Sequence, residues 1–185
     1  MPFSEFDRAV MLAFRHADLS PIGPAVLPSV ARDITSLGST VVLTLVTALS
    51  AIYLCMESKR QAAYLLVATV LSGTLLNSVL KVVAARPRPD IVPHLTTMSN
   101  YSFPSGHSMM SAVTYLTLAA LVARGRQPGV RRSCFLSAGL LTILVGLTRV
   151  YLGVHWPTDV LAGWLFGGIW TAVCFSIFNR SRASL

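Results

Sequence analysis

Apolar positions gather into five long runs, near 38–57, 61–83, 106–123, 133–152 and 159–178. Each approaches the roughly 20 residues that a helix needs to cross a bilayer. Short polar clusters separate them, so the pattern predicts an all-α, polytopic membrane bundle with about five transmembrane helices. The first 37 residues hold no comparable run. There Phe3, Phe6, Val10, Met11 and Phe14 recur at helical spacing, with Asp7, Arg8 and Arg15 between them. That pattern suits an amphipathic helix lying on the membrane surface. Pro21, Pro24 and Pro28 interrupt the next stretch, which is expected to be a second, irregular interfacial segment. A sixth span would require this region to dip into the bilayer, and five are favoured. The expected organisation is one domain over 1–185, with 1–37 as the interfacial segment and 38–178 as the helical core.

Composition agrees: 54% of residues are hydrophobic and 12% charged, against roughly 25% charged in a soluble domain. The net charge of +8 raises nucleic acid as a partner, until the charges are placed. Lys59 and Arg60 follow the first run, Arg124, Arg126, Arg131 and Arg132 the third, and Arg180 and Arg182 the fifth. Alternating spans put all of these on one side, which the positive-inside rule makes cytoplasmic. Topology therefore accounts for the excess charge, and no nucleic-acid partner is expected. Cys55, Cys134 and Cys174 lie in apolar runs without metal-ligand spacing. The opening Phe3-Ser4-Glu5-Phe6-Asp7-Arg8 lacks the basic flank of a secretory signal.

A second set of basic residues falls on the other, outer side: Lys81 and Arg149 in the last turns of their runs, and Arg86 and Arg88 just after. A cation at mid-bilayer costs roughly 2.5–3.5 kcal/mol, much less near a helix end, so snorkelling anchors are one reading. Their neighbours support another, because Ser105, Gly106, His107, His155 and Asp159 share that side. Pro104 cannot continue a helix and Ser105 is a good N-cap, so the N–H groups of Gly106, His107 and Ser108 would face outward at a positive helix end suited to an anion. A plain capping turn is the alternative. Gly153 can close one helix and Pro157 open the next, which leaves His155 in a tight turn one helical turn before Asp159. A carboxylate there can fix the imidazole tautomer and free the other nitrogen as a nucleophile. Proline holds Arg88 in an extended segment. Arg86 reads as a surface anchor and His94 as a solvated loop residue. Asn77 either braces Lys81 or packs between helices, and Tyr151, Trp156 and Trp164 read as interfacial aromatics.

Lys81, six residues, Arg88-Pro89; then Pro104-Ser105-Gly106-His107; then Arg149, five residues, His155, three residues, Asp159: this order resembles the three-part signature of the phosphatidic acid phosphatase type 2 superfamily. That superfamily includes membrane lipid phosphatases, bacterial acid phosphatases, glucose-6-phosphatase and vanadium haloperoxidases. Thr148 stands where the family usually has Ser, which keeps the hydroxyl. The family's membrane members usually have six spans. The resemblance implies His155 as nucleophile and carrier of a phosphohistidine, Asp159 as its orienting carboxylate and His107 as proton donor to the leaving oxygen. It implies Lys81, Arg88, Ser105, Gly106 and Arg149 as phosphate ligands, and no metal or other cofactor.

The expected function is hydrolysis of a phosphate monoester or diphosphate on a membrane lipid, of the phosphatidic acid, phosphatidylglycerol phosphate, undecaprenyl diphosphate or lipid A type. The alternatives are a water-soluble phosphate ester, a non-catalytic lipid-phosphate binder or transporter, or a haloperoxidase using vanadate. The expected location is a bacterial plasma membrane with the site on its outer face. The partners are the lipid substrate and surrounding lipids, and the oligomeric state is not legible.

Overall fold

The computed structural model describes residues 2–97 and 101–183. The side chains of 1–4 and 181–185, which include Phe3 and Arg182, lie outside that description. Among the described residues the chain forms seven helices: α1 Pro2–Leu12, α2 Leu27–Ser36, α3 Thr40–Met56, α4 Arg60–Ala84, α5 Gly106–Val122, α6 Pro128–Tyr151 and α7 Pro157–Ala183. An isolated bridge between Arg15 and Pro21 is the extended pairing seen.

Each of the five predicted apolar runs carries a helix, α3 to α7. By length and composition α4, α6 and α7 can each cross a membrane, and α2 with α3 makes a fourth if the pair, bent by 41°, is one broken span. At 17 residues α5 is about 25 Å long at 1.5 Å per residue, short of the roughly 30 Å of hydrocarbon. It has no need to meet lipid on its own. It is enclosed by α3, α4, α6 and α7, with Met109, Ala112, Val113, Thr114 and Thr117 buried.

Two glycines of α7 allow that enclosure. A Cβ at position 163 would come within 2.9 Å of the Ser105 carbonyl oxygen, and one at 167 within 2.6 Å of the Met109 carbonyl oxygen. Small residues one turn apart let two backbones approach, which drives helix pairing where water supplies no hydrophobic force. The outer faces are the reverse: Val41, Leu45, Leu49 and Ile52 on α3, and Leu161, Leu165, Ile169 and Val173 on α7, form exposed apolar stripes at helical spacing, as lipid contact requires.

The N-terminal region departs from expectation. Pro28 opens α2 as one of its first helical residues, where proline is tolerated because the N–H it lacks would have no helical partner. The expected irregular segment is thus partly a helix. Nor does α1 merely float at the interface. It packs on α7, with Met11 in a core with Val92, Val150 and Val160 and Asp7 fully buried. At the α2–α3 bend, Tyr115 Oη on α5 donates to the Leu37 carbonyl at 2.7 Å. It satisfies an oxygen that the interrupted helix leaves open.

Candidate active site

The bundle sorts its loops onto two ends. One collects Lys59, Arg60, Arg124, Arg126 and Phe178 around a shared hollow. The other holds a cavity of about 310 Å³ whose wall includes Lys81, Arg88, Gly106, His107 and His155. Three separate stretches of sequence therefore meet there.

The α6–α7 connection leaves His155 almost no slack. Helix α6 ends in a Schellman motif, in which Gly153 N donates to the Val150 carbonyl at 2.9 Å and Val154 N to the Arg149 carbonyl at 3.2 Å. Gly153 takes φ 77°, the left-handed conformation that favours glycine. Three residues later Trp156 N donates to Asp159 Oδ2 at 3.0 Å, so Asp159 reaches back to cap the start of α7, with Pro157 as its first residue. His155 is 2% exposed and Asp159 fully buried.

The imidazole faces two different groups. Arg88 Nη1 lies 3.1 Å from Nε2, and Asp159 Oδ2 lies 3.5 Å from Nδ1. A guanidinium can only donate, which assigns the lone pair to Nε2 and the proton to Nδ1 beside the carboxylate. The Nδ1 separation is longer than a mature hydrogen bond, as is common in unloaded sites. Burial of the ring is the main cause that holds its pKa down to about 4, against an upward pull from Asp159, and the charges of Arg149 and Arg88 lower it further. His155 is therefore neutral across the physiological range.

The basic residues are aimed by backbone oxygens. Lys81 Nζ donates to the Tyr101 and Pro104 carbonyls, both at 2.9 Å. Arg88 donates to the Val154 carbonyl at 2.6 Å and the Tyr101 carbonyl at 3.3 Å. These bonds tie the loop between α4 and α5 over the mouth of the bundle. Ser105 is the N-cap of α5, accepting from Ser108 N at 3.4 Å. Its own N–H donates to the Asp159 carbonyl at 3.0 Å, which fastens the two site-forming helix starts together. Ser105 is fully buried and lies behind the cavity wall that Gly106 and His107 line. A Cβ at position 106 would come 3.3 Å from the Asn77 amide nitrogen; Asn77 lines the same cavity, against α5. Arg149 is 1% exposed and donates to Thr35 Oγ1 on α2 at 3.1 Å, so it too lies behind the wall.

Several residues that serve the site were not legible as such. Arg86, read as an anchor, donates to Asp159 Oδ1 and Asp7 Oδ2, each at 2.7 Å. Ser102 donates to Asp159 Oδ2. His94 is the exposed loop residue that the sequence suggested, and its Nε2 meets the Pro89 carbonyl at 2.6 Å, which folds the loop on itself. The adjacent arginines of Arg-Pro-Arg-Pro were a signal that two targets exist. Nothing in the local pattern marked Asp7, Thr35 or Ser102.

Comparisons with known proteins agree with this geometry. The family model described as the PAP2 superfamily matches residues 61–183. Among curated relatives, phosphatidylglycerophosphatase B of Bacillus subtilis is 45% identical over 50% of this chain and 46% of its own. Undecaprenyl-diphosphatase of Sulfolobus acidocaldarius is 31% identical over 64% and 56%. The chain spans about half the length of the curated relatives it matches. The crystal structure of a transmembrane PAP2 type phosphatidylglycerolphosphate phosphatase from Bacillus subtilis superposes with TM-score 0.80, at 28% identity, over 97% of this chain and 95% of that one. That of Aquifex aeolicus LpxE superposes with TM-score 0.70, at 26% identity, over 92% and 95%. The apolar helices and these transmembrane neighbours make the molecule an integral membrane protein. With the family match covering α4 to α7 and the connections that carry Lys81, Arg88, His107 and His155 to the cavity, the chain belongs to the PAP2 superfamily.

Proposed function

We propose that this protein is a membrane phosphatase that removes phosphate from a lipid phosphate monoester or diphosphate through a phosphohistidine on His155. The observation that carries the reading is the single cavity into which Lys81, Arg88, His107 and His155 converge, with Asp159 behind the nucleophile. The phosphate enters between Lys81, Arg88 and the N–H groups at Gly106 and His107, with Arg149 adding positive charge from beneath. It takes Arg88 away from His155 Nε2. The Nε2 lone pair then attacks phosphorus while the bond to the leaving oxygen breaks, and His107 gives that oxygen its proton. Asp159 stabilises the charge that appears on the ring. Water next attacks the phosphohistidine and gives its proton to His107. The N–P bond breaks with its electron pair returning to Nε2, and inorganic phosphate departs.

A lipid substrate is supported by the rest of the wall. Beyond the basic cup the cavity runs between α3, α4 and α5 past Thr40, Thr44, Thr74 and Ser78, with Leu43 and Met110. That mixed lining suits the junction of a polar headgroup and a tail. The named activities of the relatives, on phosphatidylglycerophosphate, undecaprenyl diphosphate and lipid A, support the same class. The basic residues at the opposite end of the bundle support, by the positive-inside rule, a cytoplasmic position for that end and an outward-facing cavity, the proposed location being a bacterial plasma membrane.

Phosphate release from a panel of these lipids in detergent tests the reading. The wild type is expected to turn over at least one of them, and His155→Ala to lose at least a thousandfold in kcat, the scale of removing a nucleophile. Equal release by wild type and His155→Ala would contradict it.

A further inference from the structure

Asp7 stands in the middle of α1 and is fully buried, yet every partner it has in the structure lies beside the candidate active site. Its Oδ1 accepts from the backbone N of Thr158 at 2.9 Å. Its Oδ2 accepts from Thr158 Oγ1 and from Arg86 Nη2, each at 2.7 Å. The other arm of the same guanidinium, Nη1, donates to Thr158 Oγ1 and to Asp159 Oδ1, each at 2.7 Å. The Trp156 ring lies against Arg86 with its centroid 5.5 Å away, and its Nε1 donates to the Pro87 carbonyl at 3.1 Å. One guanidinium thus joins two buried carboxylates, one of them on the N-terminal helix and the other the orienting acid of His155.

Such an arrangement is rigid for a physical reason. Two buried carboxylates repel unless a cation sits between them, and a buried charge that loses its partner is strongly penalised. The planar fork of arginine can serve both at once, which a lysine cannot. With Oδ1 of Asp159 pinned by Arg86, Oδ2 is left turned toward Ser102, Trp156 N and His155 Nδ1. A slip of about 1 Å in a group that orients a nucleophile can cost about a hundredfold in rate.

We propose that Asp7 and Arg86 are positioning residues which hold Asp159 for His155, so that docking of the N-terminal helix completes the active site. This rests on the phosphatase reading above. The test is kinetics of the full-length protein in detergent, with radiolabelled lipid phosphate so that low rates are read. Asp7→Asn keeps the shape and removes the charge; Arg86→Lys keeps the charge and removes the fork. Each is expected to lower kcat about tenfold or more with KM changed less than about twofold. In an Asp159→Asn background the same changes are expected to add less than about twofold, because residues acting through one group are not additive. Wild-type kcat in either variant overturns the proposal. So does a loss as large in the Asp159→Asn background as in the wild type, the mark of a role that is only structural. If Asp7→Asn fails to accumulate, Arg86→Lys decides by the same two outcomes. Failure of the phosphatase reading is distinguishable, since wild type and His155→Ala would then be equal before any of these variants is compared.

Discussion

At the scale of single residues, the two ring nitrogens of His155 have opposite neighbours, and its chemistry follows from that difference. Arg88 reserves the lone pair of Nε2, while Asp159 faces Nδ1. Burial lowers the pKa from the ordinary 6.5 to about 4, so the neutral form is favoured by the fold. The unfolded chain binds the proton at a higher pH than the folded one. Stability owed to this group is therefore full above about pH 6.5 and is lost as pH falls from there toward 4, by about 1.4 kcal/mol per unit. Nitrogen-edited NMR of the ring in detergent is expected to show His155 neutral at pH 5.5. Titration near 6.5 would contradict the description of a desolvated nucleophile.

What could be read from the sequence at this scale was whatever chemistry acts locally. Ser105 as N-cap, Gly153 as the left-handed stop of α6 and Pro157 as the start of α7 each depend on neighbours within a few positions. All three fall where turn chemistry places them. Asp7 meets Arg86 across 79 positions, and Arg149 meets Thr35 across 114. Partnerships so distant leave no periodic trace, and a single acid in an amphipathic stretch resembles any solvated one. Arg88 lines the cavity as read, whereas Arg86 was taken for a surface anchor for the same reason. Which guanidinium faces the cavity and which faces Asp159 depends on packing between α1, α4 and α7, not on the dipeptides that carry them.

Among the elements, α5 differs from the others and most strongly sets the site. At 17 residues it is shorter than a lone membrane span requires. The structure accounts for this, because a helix surrounded by four others need not match the hydrocarbon thickness. Its approach to α7 depends on Gly167, where a Cβ would lie 2.6 Å from the Met109 carbonyl oxygen, whereas a Cβ on the adjacent Gly168 would meet nothing within 4 Å. Gly167→Ala must push α7 from α5 and disturb the Ser105–Asp159 bond that joins their starts. Overpacking of this kind costs about 1–3 kcal/mol. Gly168→Ala should instead gain up to about 1 kcal/mol from helix propensity. Thermal unfolding in detergent is expected to show a lowered Tm and reduced kcat for the first and neither for the second. Equal behaviour of the two would show that close α5–α7 packing does not set the geometry.

For the whole molecule, the bundle separates charge along its length. One end gathers most of the basic loop residues, and the other gathers a smaller basic set with two histidines around a cavity. The apolar runs made the bundle legible, and the charge order made its two ends legible. The amphipathic pattern of the N-terminal helix was legible, but not what its buried face meets, which is held by a carboxylate as well as by Met11. The proposed chemistry centres on phosphoryl transfer to one ring nitrogen of His155. The most direct measurement is rapid-quench single turnover with a lipid labelled in its phosphate, followed by alkaline digestion and mapping of the label. The account predicts a base-stable, acid-labile phosphoryl group on His155, absent in His155→Ala. Complete turnover with no label on His155, or with the label on another residue, would contradict it.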